Sequence, residues 1–312
     1  MRVAAAQAHP AWLDPGAGTK LVVDWLTRAA GEGVELLAFG ETFLSGYPAW
    51  VSSTGGARFE DAKQKRAYAA YLDAAVDLDG PELATIREAV GDLGVFTYLG
   101  VTERGNGNAR GTVFATLVAI DPSAGIVSAH RKLRPTYEER LVWGSGDGHG
   151  LRVHTLPSGW RVGGLNCWEN WMPLARTALY AGGEDLHVSV WPGSTRLTQD
   201  ITRFVAREGR VFSLAAGALV STDDVPTDFP LYEALVEAGG VHQNGGSAIA
   251  GPDGRWIVEP VADEERLVIA DLDLTAVAEE RQNFDVTGHY ARPDVLHLHV
   301  DRRRQQTVTF ED

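Results

Sequence analysis

The sequence predicts an α/β fold in which two β-sheets pack together and helices cover the outside. The chain opens with a strand–helix–strand pattern, and strand-like and helix-like segments then alternate to about residue 280 without a break in composition. These segments include about ten strands, which is more than one open sheet usually carries in a chain of this size. Buried strands that follow one another through helices need cover on both sheet faces, so we expect the helices to lie outside the two sheets.

The first 40 residues form the opening unit. A short apolar run predicts a strand over residues 3–6. Residues 20–30 carry apolar side chains at helical spacing, and Gly31 and Gly33 end that pattern. A second apolar run of strand length, residues 34–39, follows and leads into Gly40 and Glu41.

The remaining elements follow in order along the chain. Helices are predicted over residues 61–72 and 81–93, and Pro81 marks a favourable helix start. Later helices are predicted from Pro173 to Gly182, over 201–208 and over 274–280. Strands are predicted over residues 95–101, 112–120, 126–132, 186–191, 211–216, 247–250, 256–258 and 267–272, with a short one before Cys167. We interpret residues 1–280 as one domain and residues 281–312 as a polar C-terminal tail.

Composition excludes several classes of protein. The apolar content of 44% is enough for a full core, and the formal net charge of -14 argues against a nucleic-acid-binding surface. A single cysteine permits no intrachain disulfide, which fits a reducing compartment. We find no signal peptide and no stretch near the ~18 apolar residues of a membrane span, so we expect a cytoplasmic protein without membrane contacts.

Cys167 is the only cysteine of the chain. It lies between a short predicted strand and a helix that begins near Pro173, on a tight connection of the kind that exposes a nucleophile to a pocket. The alternative is a buried structural cysteine, since free cysteines are among the most buried residues.

Three other ionisable residues lie at or after the ends of predicted strands. Glu41 follows one buried strand, Lys132 ends another, and Glu139 comes seven residues after Lys132. Charged groups there are unfavourable unless they are paired or functional, and ligands bind at this edge in α/β sheets. A carboxylate can take the thiol proton, and an ammonium stabilises the thiolate and negative charge on a substrate.

Five motifs in order make the sequence resemble the nitrilase branch of the carbon–nitrogen hydrolase superfamily. They are residues 39–48 (FGETFLSGYP), 130–136 (HRKLRPT) with Glu139, 143–148 (WGSGDG), 167–170 (CWEN) and 288–294 (GHYARPD). The resemblance implies a four-layer αββα sandwich. It also implies a catalytic triad with Glu41 as general base, Lys132 as electrostatic stabiliser and Cys167 as nucleophile. Glu139 matches an additional glutamate that positions the substrate or Lys132.

The same resemblance predicts the reaction and the partners. It implies hydrolysis of a small-molecule nitrile by water to a carboxylic acid and ammonia, without a metal or organic cofactor. It further implies a homo-oligomer built from dimers, in some relatives extended into spirals, with contacts expected in the tail after Arg281.

The pocket is expected in the loops near Cys167. We predict substrate contacts from Tyr47, Trp168, Trp191 and Pro192, and the backbone N–H of Trp168 is a candidate oxyanion donor. The aromatic content of these loops favours an arylated or mid-sized apolar nitrile. Glu169 is interpreted either as an ion-pair partner for an arginine or as a support for the site.

Three alternatives stay open. A Cys–His hydrolase would pair Cys167 with His187, His242 or His289. A non-catalytic assembly protein on this scaffold would be expected to lack a triad member, although all three are present. An amidase or a nitrile-to-amide hydrating enzyme would use the same residues.

Overall fold

A computed structural model describes residues 1–306, 308 and 311, without the side chain of residue 108. The strands, in chain order, are β1 (Arg2–Gln7), β2 (Leu36–Phe39), β3 (Phe96–Arg104), β4 (Val113–Asp121), β5 (Gly125–Arg131), β6 (Val153–Thr155), β7 (Arg161–Asn166), β8 (Leu186–Trp191), β9 (Phe212–Gly217), β10 (Leu219–Ser221), β11 (His242–Ala250), β12 (Trp256–Ala262) and β13 (Arg266–Asp271). The α-helices are α1 (Pro15–Gly31), α2 (Trp50–Ser53), α3 (Ala62–Asp73), α4 (Pro81–Leu93), α5 (Pro173–Ala181), α6 (Thr195–Thr198), α7 (Ile201–Gly209), α8 (Tyr232–Glu237) and α9 (Thr275–Arg281).

Within the described residues the strands form two mixed sheets. The first has the order β13-β1-β2-β3-β4-β5, with β1, β2 and β3 parallel to one another. The second has the order β10-β11-β9-β8-β7-β6, with β12 paired to β11 and with β7, β8 and β9 parallel. Glu41 follows the parallel strand β2, Cys167 follows the parallel strand β7, and Lys132 follows the antiparallel edge strand β5.

The alternation of side chains along the strands creates the layers. Val3 and Ala5 of β1 pack into a core shared with the second sheet, whereas Ala4 and Ala6 pack with residues of α1 and α4. The outer face of the second sheet is covered by α5 and α7. The result is a helix–sheet–sheet–helix sandwich, so the predicted fold class is confirmed.

Local differences from the sequence prediction have simple causes. Helix α1 begins at Pro15 instead of residue 20, because the Asp14 side chain accepts the N–H of Ala17 and Pro15 suits the first helical position. The strands β6 and β10 are three residues long, and the helices α6 and α8 have four and six residues. Such short elements contain too few residues for a detectable periodicity of apolar side chains.

The C-terminal tail lies back on the sandwich. Arg281 pairs with Asp185, and Leu298 and Val300 pack against the apolar cluster under α5. Arg304 pairs with Asp147. Residues 307, 309, 310 and 312 of the tail lie outside the described residues. Whether the tail makes oligomer contacts stays a prediction.

Among the described residues, no helix combines the length and the apolar character that a bilayer crossing requires.

Gly100 allows β3 to pass close to the end of β2. A Cβ atom at position 100 would lie 2.1 Å from the carbonyl oxygen of Gly40 and 2.6 Å from the nitrogen of Thr42, so it would push on the segment that carries Glu41. We expect Gly100→Ala to lower the free energy of unfolding by about 1–3 kcal/mol, because overpacked backbone contacts must shift. Urea denaturation measures the change.

Gly31→Ala is the matched control. A Cβ atom there meets nothing within 4 Å, and alanine favours the last turn of α1. This variant is expected to be as stable as the parent or slightly more stable. A Gly100→Ala protein as stable as the Gly31→Ala protein would contradict the close approach.

Candidate active site

Cys167 lies on a sharp turn at the end of β7. It starts a 3₁₀ turn, Cys167–Trp171, that leads directly into α5 at Pro173. Its φ of 50° is in the left-handed region, which is unfavourable for a residue with a side chain. Cys167 is 1% exposed, and the adjacent backbone N–H of Trp168 acts to lower the pKa of its thiol. The thiol is therefore held at the base of a turn that the surrounding fold enforces.

Glu41 follows β2 and reaches the second sheet. Its backbone N–H donates to the carbonyl oxygen of Trp191 at 3.0 Å, which joins the ends of β2 and β8. Gly40 permits this approach, since a Cβ atom there would lie 2.9 Å from the same carbonyl oxygen. The Glu41 side chain is buried, and neither of its oxygens makes a hydrogen bond of good geometry among the described residues.

Lys132 comes immediately after β5 and lies between two carboxylates. Its Nζ is 2.9 Å from Oε1 of Glu41 and 2.7 Å from Oε2 of Glu139. The same Glu139 oxygen accepts the backbone N–H of Thr136 at 2.6 Å, and Tyr47 donates its hydroxyl to the other oxygen at 2.8 Å. Glu139 is thus fully bonded, whereas Glu41 keeps acceptor capacity for a proton from another group.

The sulfur of Cys167 lies close to both carboxylates. Its Sγ and one oxygen each of Glu41 and Glu139 are within 4.8 Å of one another. A thiolate and two carboxylates are also a donor set for a metal ion. Here the Lys132 ammonium supplies the positive charge that this set requires. The structure therefore brings together the four residues that the sequence motifs singled out.

Burial controls the proton affinities of these groups. It raises the pKa of Glu41 to about 8, against an opposing effect of Lys132, and it raises the pKa of Cys167 well above its usual value. Burial alone would lower the pKa of Lys132, but Cys167, Glu41 and Glu139 raise it above its usual value. The resting site thus holds a neutral thiol and an ammonium, beside a carboxyl group that is ready to exchange a proton near neutral pH.

Glu169 connects the Cys167 turn to the Lys132 segment. Its carboxylate accepts the backbone N–H of Asn166 at 2.9 Å and that of Leu133 at 2.5 Å, and it lies 3.1 Å from Nε2 of His130. Burial acts to raise the pKa of Glu169, but His130 and the two N–H groups outweigh burial and lower it. The ionisable partner of Glu169 is therefore His130 and not the arginine considered from the sequence. His130 lies on β5, just before Lys132, and its ring reaches the Cys167 turn.

Tyr47, Trp168 and Pro192 line a cavity beside Cys167, as do Glu139 and Leu197. The cavity has a volume of about 180 Å³. Trp191 is not among the residues that line this cavity. It is fully buried in the same apolar cluster as Cys167, its indole N–H donates to Ser189, and its carbonyl oxygen accepts the N–H of Glu41.

The three histidines of the Cys–His alternative are not placed as partners of the sulfur. Both ring nitrogens of His187 are engaged, by Glu184 and Asn170. His242 is exposed near Asp263, and His289 lies in the exposed part of the tail beside Tyr290.

Sequence reasoning missed two supporting contacts. Trp143, expected only as part of a pocket loop, is buried, and its ring lies 5.3 Å from Nζ of Lys132. Asn170 donates a hydrogen bond to the carbonyl oxygen of Cys167. The spacing of Asn170 from Cys167 within the CWEN motif was the available signal.

Comparison with known proteins agrees with this architecture. The structure of a carbon–nitrogen hydrolase from Helicobacter pylori G27 superposes with a TM-score of 0.70 at 16% sequence identity, covering 94% of this chain and 96% of that one. At this identity the likeness concerns the fold.

Sequence relatives are closer. A protein described as Nitrilase 2, from an unknown prokaryotic organism, is 36% identical over 308 residues, covering 98% of this chain and 94% of its own length. The Aliphatic nitrilase of Rhodococcus rhodochrous is 34% identical over 325 residues, with coverages of 98% and 84%. The family model described as carbon–nitrogen hydrolase matches residues 2–282. This chain therefore belongs to the carbon–nitrogen hydrolase family.

Proposed function

We propose that this chain is a nitrilase that hydrolyses an organic nitrile to the carboxylic acid and ammonia through covalent intermediates on Cys167. The observation that carries the proposal is the contact of one buried ammonium, Lys132, with both Glu41 and Glu139, next to the only thiol of the chain. Relatives described as nitrilases that match along almost the whole chain support the same reaction.

The first half of the reaction forms a carbon–sulfur bond. Glu41 takes the proton of the Cys167 thiol, and the sulfur attacks the nitrile carbon. The nitrile nitrogen takes this proton from Glu41 as its π bond opens, which gives a thioimidate and restores the Glu41 carboxylate. Lys132 and the backbone N–H of Trp168 stabilise the negative charge that develops near this centre.

The second half uses two water molecules. Glu41 accepts a proton from the first, and the resulting hydroxyl adds to the thioimidate carbon. The tetrahedral nitrogen leaves as ammonia after protonation, which leaves a thioester. The second water hydrolyses the thioester to the acid and restores the thiol. If the sulfur leaves first from the tetrahedral species, the product is the amide.

The cavity beside Cys167 points to a small substrate. Its volume of about 180 Å³ is below the roughly 300–1,000 Å³ of pockets for drug-sized ligands. The size therefore favours a smaller nitrile than the arylated or mid-sized one that the aromatic loops suggested.

We also propose that the protein works in the cytoplasm as a homo-oligomer. A reducing compartment suits an enzyme that depends on its only thiol. A strip of exposed apolar side chains lies next to the site and supports self-association. We call it the apolar strip, and its members are Trp168, Trp171, Met172, Leu174 and Phe204.

Removing the sulfur tests the reaction. We expect Cys167→Ala to lower the rate of ammonia release from nitriles by about 10⁴-fold or more, because the covalent route is lost. Glu41→Gln is expected to lower it by roughly 10²–10⁴-fold, the usual contribution of a positioned base. A panel of nitriles scored for ammonia, acid and amide measures both activity and product.

Ser158→Ala, on an exposed turn, is the control and should turn over like the parent. Thermal unfolding establishes that each variant is folded. Ammonia release by folded Cys167→Ala at the parent rate would exclude the scheme.

The pH dependence follows from Glu41. Only its carboxylate can act as base, and burial raises its pKa to about 8, so protonation removes the active form as pH falls below that value. We expect kcat/KM to rise about tenfold per pH unit on the acidic side and to level off above pH 8. The residual kcat/KM of Glu41→Gln should not show this rise with pH. A parent profile that is flat from pH 6 to 9 would contradict Glu41 as the base.

The apolar strip can be tested by light scattering. Leu174 is 66% exposed, and a charge there is expected to weaken burial against a second copy. Leu174→Glu should therefore shift the molar mass toward the 33.7 kDa of one chain, whereas Phe59→Glu, on a loop, should not. Leu296→Glu tests the tail in the same way. A parent protein that is monomeric at all concentrations would reject self-association.

A further inference from the structure

A chain of buried polar side chains runs from the Cys167 turn into the second sheet. Nδ2 of Asn170 donates to the carbonyl oxygen of Cys167 at 2.7 Å. Oδ1 of Asn170 lies 2.7 Å from Nε2 of His187, and Nδ1 of His187 lies 2.9 Å from Oε1 of Glu184. Asn170, His187 and Glu184 are fully buried, and the proposed reaction uses none of them.

The hydrogen-bond directions in this series of side chains follow from the bond between Asn170 and the carbonyl oxygen of Cys167. Asn170 uses its NH₂ group on the carbonyl oxygen of Cys167, so its amide oxygen faces His187. An amide oxygen only accepts, and Nε2 of His187 must therefore carry a hydrogen. Nδ1 and the Glu184 carboxyl then share one proton between them, and the ring is held from both sides.

The fold leaves room for the Glu184 carboxyl at the far end. A Cβ atom at Gly163, on β7, would lie 2.3 Å from Oε2 of Glu184, so a larger residue there would displace this carboxyl group. That oxygen makes no hydrogen bond among the described residues, which is unfavourable for a buried carboxyl group. A buried acid with one unsatisfied oxygen is a poor stabiliser, so its contact with His187 calls for another explanation than stability.

The carbonyl of Cys167 shares a rigid plane with the N–H of Trp168. In a trans peptide the two groups point in opposite directions, so the bond from Asn170 to the oxygen sets the direction of the N–H. That N–H is adjacent to the sulfur, acts to lower the pKa of the thiol, and is the candidate donor to the charge on the substrate. The bond falls on a residue whose left-handed conformation must be supported by its surroundings.

We propose that Glu184, His187 and Asn170 are positioning residues that hold the Cys167–Trp168 peptide plane. They thereby aim the sulfur at the substrate carbon and the Trp168 N–H at the negative charge that develops on the nitrile nitrogen. His187 thus acts on the backbone of the nucleophile and not on its thiol. The proposal rests on the proposed nitrilase reaction for its kinetic consequence, but its effect on the reactivity of Cys167 is independent of the substrate.

The test compares two replacements of His187. Gln places an amide N–H near the position of Nε2 and can still donate to Asn170, whereas Phe fills the space without a donor. We expect His187→Phe to lower kcat by about 10–10²-fold with little change in KM, the effect of misplacing a reacting group by about 1 Å. His187→Gln should stay within about threefold of the parent, because the bond to Asn170 remains.

Alkylation of Cys167 by iodoacetamide, followed by mass spectrometry of the peptide, is the second readout. Displacing the Trp168 N–H from the sulfur disfavours the thiolate, so labelling should slow in His187→Phe and recover in His187→Gln. This readout applies even if the parent hydrolyses no nitrile, which separates failure of the inference from failure of the proposed function. His154→Phe is the control, because His154 is a partly buried histidine that contacts Ser128 on the first sheet and should leave both rates unchanged.

Folded His187→Phe protein that labels and turns over like the parent would overturn the proposal, and so would a His187→Gln protein as slow as His187→Phe. If His187→Phe does not fold, Asn170→Asp decides. It keeps an acceptor for His187 but faces the Cys167 carbonyl with an oxygen, so it should slow labelling by about tenfold. Labelling of Asn170→Asp at the parent rate would overturn the proposal equally.

Discussion

The ammonium of Lys132, shared by Glu41 and Glu139 in a place without solvent, is the interaction on which the site depends. Removing one member of such a buried group leaves uncompensated charges, which lowers the free energy of unfolding by about 3–5 kcal/mol. The three side chains are therefore required together. The same cluster gives Glu41 its high proton affinity, since burial and the nearby Glu139 outweigh the attraction of Lys132. Charge pairing and acid–base chemistry are thus properties of one arrangement.

The two-sheet architecture is what brings these groups together. Glu41 and Lys132 follow strands of the first sheet, and Cys167 follows a strand of the second. The junction is made by backbone contacts at Gly40 and Trp191, and by Glu169, which bonds to both the Cys167 turn and the Lys132 segment. The sheets pack through a continuous apolar core, so the distances in the site are set by the whole sandwich.

Much of this could be predicted from local signals. Apolar runs and glycine or proline boundaries located most strands and helices, and the motifs around Glu41, Lys132 and Cys167 singled out the residues that meet. Contacts between distant segments carried no such signal. The His130–Glu169 pair and the His187–Asn170 contact join residues 39 and 17 positions apart and depend on sheet packing. Trp191 was expected in the pocket from its aromatic character, but β8 directs its indole into the core.

The covalent route through Cys167 is tested most directly by identifying where the substrate carbon becomes attached. Enzyme in excess over a nitrile is quenched in acid during the first turnover, and its peptides are analysed by mass spectrometry. We expect an acyl or imidoyl group on the peptide that contains Cys167, formed and lost at the rate of turnover. Consumption of the nitrile with Cys167 unmodified, and with the substrate-derived group on another side chain, would contradict the covalent route through Cys167.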